Sequence, residues 1–158
     1  MIDTSVYTGF PSKEIAKWFE TKGKLNDLIK QFQPDAVFVD RQTNFGLAAS
    51  KLKIPLFVHL RGDVWSESVM AKQTLYKSTS KRSVLWFKER IAKKCFENST
   101  SILPICKYLE NKVKERFPKN KTDVLYQGIE PSNWYYQKGL NLKHPCVGLL
   151  QNANIFGK

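Results

Sequence analysis

The sequence has little of what disulfide, metal or membrane-spanning chemistry requires. Among 158 residues there are three cysteines, Cys95, Cys106 and Cys146, and no two of them form a C-x-x-C pair. An odd count without such pairs gives no disulfide framework, and with only His59 and His144 beside them no zinc-ligand spacing arises. No run approaches the roughly 20 apolar residues of a transmembrane helix. The opening MIDTSVYTGF has neither the basic start nor the apolar middle of a secretory signal. The expected location is cytoplasmic, so the sequon Asn98-Ser99-Thr100 and the tripeptide Arg61-Gly62-Asp63 are set aside as glycosylation or integrin signals. There is also no G-x-G-x-x-G, no P-loop and no H-E-x-x-H, which removes the usual support for dinucleotide, P-loop nucleotide and zinc-hydrolase chemistry.

Acidic residues are scarce as well: 14 Asp and Glu stand against 26 Lys and Arg, a formal net charge of +12. That balance points to an anionic partner. Nucleic acid, an anionic membrane surface and a phosphorylated substrate all fit it, as does a solvated basic surface.

What the chain does have is alternation. With 42% hydrophobic residues it can bury one sizeable core. PSKEIAKWFETKGKLNDLIKQF carries Ile15, Trp18, Phe19, Leu25, Leu28, Ile29 and Phe32 at near-helical spacing, with an interruption expected around Gly23. PDAVFVD is too short for a helix and β-branched enough for a buried strand. TNFGLAASKLK reads as a helix capped by Thr43 or Asn44, and IPLFVHL as the next strand. RGDVWSES reads as a loop leading into a polar region, followed by the longest helical pattern, about Ser83 to Asn98. SILPI is a strand, CKYLENKVKERF a helix, and TDVLYQGI a last strand ending at Gly128. Strands and helices in this order predict an α/β fold, a Rossmann-like parallel sheet flanked by helices.

In such sheets ligands gather outside the carboxyl ends of the strands. That rule selects Asp40, Arg41 and Gln42 after the first strand and Arg61, Gly62 and Asp63 after the second. After the third come Cys106 and Lys107, and after the fourth Gln127, Gly128 and Glu130. Each has a plainer alternative. Asp40 suits a helix cap; Arg61 and Asp63 are near enough to pair with each other, whereas Gly62 between them suggests instead a tight turn or a close backbone approach to a ligand. Cys106 has no histidine base near it in sequence and is read as non-catalytic. On the long helix, Val84, Phe87, Ile91 and Cys95 share the side expected to face the core, and Trp86 stands outward among Arg82, Arg90 and Lys93. An outward Trp among cations suits an anionic bilayer interface; the alternative is a Trp packed on a neighbouring helix with solvated cations.

The run PDAVFVD, GLAASKLKIPLFVHLRGD, STSILPICKYLENKVKERF, TDVLYQGIEPSNWYY and HPCVGLL resembles the N-terminal half of a family 4 glycosyltransferase, a two-domain enzyme of the GT-B fold. ILPICKYLE is similar to the family's IAVSEYLKE, and QGIE followed by the aromatic Trp134 to its NGVD. The resemblance implies an acceptor domain over residues 1–140. Residues 141–158 would be a linker and the first strand of a donor domain cut short, so that the chain is an inactive fragment of the enzyme. It departs from the family pattern at Asp40, where a histidine is common, at Arg61, where a second is, at Cys106 and at Gln127. Leu149 stands near the position of a donor-binding arginine, with Lys158 as the lysine that follows it.

The implied reaction is transfer of a sugar, with retention, from a nucleotide-sugar to a glycan or lipid-linked acceptor, without metal or other cofactor. Asp40 and Arg41 are the expected catalytic residues, Arg61, Gly62 and Asp63 the acceptor contacts. Gln127, Gly128 and Glu130 would form the cleft floor, and Lys158 would meet the donor phosphate. Peripheral contact with the inner face of an anionic membrane would run through Arg82, Trp86, Arg90 and Lys93. The other reading is a non-enzymatic basic α/β module that binds nucleic acid or another polyanion, although no RNA-binding signature is present and nucleic acid is not the expected partner.

Overall fold

The computed structural model describes residues 20–128 and 130–133. The chain divides into two compact units, Met1–Tyr126 and Gln127–Lys158. The boundary expected at 140/141 and the strand expected in PCVGLL lie outside the described residues, as does Lys158.

In the first unit four strands form one sheet in the order β1 (Val37–Val39), β2 (Leu56–Leu60), β3 (Ser101–Pro104), β4 (Lys121–Thr122). Every neighbouring pair is parallel, with Val37 opposite Leu56, Val58 opposite Ile102 and Ser101 opposite Lys121. The expected α/β class and parallel sheet are therefore present. Helices α1 (Glu20–Phe32), α2 (Asn44–Ala49), α3 (Val64–Thr74), α4 (Thr79–Glu97) and α5 (Lys107–Arg116) flank it.

Side chains alternate across a parallel ladder, so residues in register share a face. Leu56, Val58, Leu60 and Ile102 lie on one face and are fully buried with Ala49 of α2, Cys95 and Phe96 of α4, and Leu109 and Val113 of α5. Phe38, Phe57, His59 and Leu103 share the other face. Gly46 of α2 is buried where a Cβ would run into Cys95 Sγ and touch Val39 Cγ2, so the absence of a side chain lets α2 close on α4 and β1.

Five expectations need correction. The helix α1 runs unbroken through Gly23 and ends at Phe32; Gln33 takes a left-handed conformation with φ 44°, and Pro34 blocks continuation. α2 stops at Ala49, short of Leu52, expected to lie on it, and its cap Thr43 makes no side-chain hydrogen bond. The stretch after Arg61 is a helix, α3, because Asp63 caps it by accepting from Ser66 N at 3.1 Å. The ladder of β4 forms at Lys121–Thr122, ahead of the expected VLYQ; beyond it only Leu125 N donates back to β3, to Pro104 O at 2.9 Å. On α4, Phe87 faces outward beside Trp86, and Leu85, Cys95 and Phe96 make the core contact.

Candidate functional site

The carboxyl edge of β1 and β2 brings three of the chain's chemically capable side chains together. Continuing the register in which Val39 lies opposite Val58 puts Asp40 opposite His59, on the same face and about 5 Å apart in backbone spacing. Nδ1 of His59 donates to Asp40 Oδ1 at 2.9 Å, and Nη1 of Arg61 donates to Oδ2 at 2.8 Å. Because a carboxylate only accepts, Nδ1 carries the proton in this bond. Among the described residues Nε2 of the same ring has no partner, although His59 is 6% exposed. The Phe38 ring lies 5.8 Å from the imidazole.

The two donors fix Asp40 in place and in charge. The hydrogen bond from His59, then that from Arg61, holds its carboxyl below the usual carboxylate range. Asp40 is 53% exposed and Arg61 41%, so a fixed anion and a cation face solvent side by side over a buried imidazole. Such an arrangement can stabilise a developing cation or seat a phosphate on the guanidinium.

Asp40 thus caps no helix, and Arg61 pairs with Asp40 rather than with Asp63. Asp63 serves a separate cluster. It accepts from Lys112 Nζ at 2.6 Å, from Ser66 Oγ at 2.7 Å and from Tyr108 Oη at 3.0 Å, tying the start of α3 to α5. Lys107 is bound to Glu110 at 2.9 Å, which also holds Lys114 at 2.8 Å. Arg41 is exposed on the edge after β1, and its carbonyl accepts from Thr43 N. Neither Gly62 nor Gly128 has a positive φ; a Cβ on Gly62 would meet only the movable end of Glu67. Gln127, Gly128 and Glu130 belong to the second unit, where Glu130 accepts from Ser132 Oγ at 2.8 Å.

His59 was hidden from sequence reading inside the apolar run LFVHL. The signal that finds it is positional: an Asp one residue past a three-residue strand and a His at the matching register of the next. Among the described residues no group of three His, Cys, Asp or Glu side chains is gathered to hold a metal ion. No described helix is long and apolar enough to cross a membrane.

Away from the edge, Arg82, Trp86, Arg90 and Lys93, the residues expected to meet a membrane, lie on α4. Arg90 stacks 5.4 Å over the Trp86 ring, Phe87 meets Trp86 edge-on at 4.9 Å, and Lys93 reaches Glu97 at 3.6 Å. Comparison with protein-family models, with curated proteins and with solved structures gives no match to this chain.

Proposed function

We propose that this chain is the acceptor-side domain of a retaining glycosyltransferase, which moves a sugar from a nucleotide-sugar to a glycan or lipid-linked acceptor. One observation carries the reading: a charged, half-exposed Asp40 clamped between His59 and Arg61 at the carboxyl edge of a parallel sheet. Sugar transfer with retention passes through a centre of oxocarbenium character while a diphosphate departs. An anion held in place beforehand stabilises the first. In this reading Asp40 faces the sugar and Arg61 orients the acceptor. Arg41 stands on the same edge, and Asp63 contributes by holding α3 and α5 together around it. The likeness of ILPICKYLE and QGIE to the family pattern supports the assignment.

The test is amide chemical-shift mapping of this chain with methyl glycosides and with a polyprenyl-phosphate sugar. Shifts centred on Asp40, Arg41 and Arg61, lost in Asp40→Ala, are expected. Silence toward every sugar, with an oligonucleotide moving the same amides, would replace the reading with that of a polyanion-binding module.

A further inference from the structure

The outward face of α4 is the most unusual surface among the described residues. The helix TSKRSVLWFKERIAKKCFE holds six Lys and Arg against two Glu. Both acids are occupied: Glu89 by Lys72 at 2.7 Å and by the Ser68 hydroxyl, Glu97 by Lys93. Leu85, Cys95 and Phe96 turn to the core, which leaves Trp86 and Phe87 on the far side, each 50% exposed. Arg82, Arg90, Lys93 and Lys94 are exposed around them. A shallow recess beside Trp86 is lined by Glu89, Arg90 and Lys93.

From this geometry we infer that the outer face of α4 docks on an anionic lipid bilayer, with Trp86 entering the interface and the cations meeting lipid headgroups. An indole with a stacked guanidinium is amphipathic in the sense that an interface rewards: the ring enters the acyl boundary and the charge stays at headgroup level. The aromatics sit on a helix ridge, a shape that meets a plane. Single-stranded nucleic acid instead needs a basic groove with open ring faces for stacking. Here Arg90 covers one face of Trp86 and Phe87 meets it at a steep angle on a ridge, an arrangement unlike an open stacking groove. The inference does not rest on sugar transfer and would survive its failure.

The test is flotation of this chain with phosphatidylcholine vesicles and with vesicles in which phosphatidylglycerol replaces part of the phosphatidylcholine. Binding is expected only to the second, falling as added salt shortens the screening length. Each cation near such a surface raises the partition roughly fivefold, so Arg82, Arg90 and Lys93 all changed to Ala should lower it about a hundredfold. Removing the same charge at Lys51, Lys53 and Lys119, exposed elsewhere, should leave most of the binding. Trp86 emission should shift to the blue on contact, a shift missing in Trp86→Phe. Circular dichroism should match wild type in every variant. Equal binding to both vesicles, no binding to either, equal loss in both triple variants, or displacement of vesicles by an oligonucleotide would each overturn the assignment.

Discussion

Asp63 offers the sharpest test of how the sheet edge is held. Its side chain is largely buried, and it receives Lys112 Nζ, Ser66 N, Ser66 Oγ and Tyr108 Oη, which joins the first turn of α3 to α5. Asp63→Ala removes a helix cap worth about 1 kcal/mol. It also removes a charge-assisted bond from Lys112, worth about 2 kcal/mol where the pair is mostly shielded from water. The expected loss is about 3 kcal/mol at neutral pH, read from urea unfolding by circular dichroism. Asp63→Asn keeps an acceptor for Ser66 N and should lose about half of that. Combined with Lys112→Ala, the cycle should return a coupling of about 1.5 kcal/mol.

The pH dependence follows from the same contacts. Burial pushes the Asp63 carboxyl upward, but hydrogen bonds from Lys112, Ser66 and Tyr108 outweigh it and hold the group well below the usual range. A folded pKa below the unfolded value of about 3.9 gives stability that is complete above about pH 5. That stability drains away as pH falls through the folded value. Wild type and Asp63→Asn should therefore converge in acid. A loss under about 0.5 kcal/mol for Asp63→Ala, or strict additivity with Lys112→Ala, would show that the cluster contributes nothing to stability.

If the proposed sugar transfer holds, Asp40→Ala in the full-length protein should lower kcat at least a hundredfold, roughly 2.7 kcal/mol of barrier, with an unchanged melting temperature. Equal loss of both would make Asp40 a structural residue. His59→Phe should raise the Asp40 pKa more than Arg61→Ala does, because the histidine bond is the larger of the two lowering contacts; carbon-detected carboxylate titration reads this directly. Gly46→Ala should cost about 1–3 kcal/mol by driving a methyl into Cys95 Sγ, and Cys95→Ala in the same chain should recover much of it. Burial pushes the Cys95 thiol up to about 12, so in the folded chain at pH 8 it should resist a thiol reagent that labels it at once in urea.

The sheet was legible because its strands are short apolar runs bounded by turn residues. VFV, LFVHL and SILP announce themselves, and the helices between them enforce parallel pairing. α3 was not legible. Val64 and Trp65 turn toward the core whereas Val69 and Met70 are exposed, so no stripe runs along it, and its start depends on the Asp63 cap. VLYQ has strand composition without burial, which is why composition points past the true ladder: Leu125 and Tyr126 lie exposed at its margin. Hydrophobicity alone puts Phe87 inward, but its place on the helix is closer to that of Arg90 and Lys94 than to that of Leu85 and Phe96. Of the site, rules about strand ends found Asp40 and Arg61. They could not find His59, whose role depends on register between strands distant in sequence.

The strand order has a consequence for biosynthesis. Each strand of the described sheet pairs with the one made just before it, so the sheet can grow in the order of translation, without waiting for a later strand to slot between earlier ones. Each intermediate then presents a fresh open edge. LFVHL and SILP are such edges, apolar and unguarded until their successors emerge. β4 ends this exposure by being unlike them: two residues long, with exposed Lys121 on its rim, it offers a passing chain little backbone to pair with. On that side, the described sheet therefore ends in an edge too short to template the pairing that leads to aggregation.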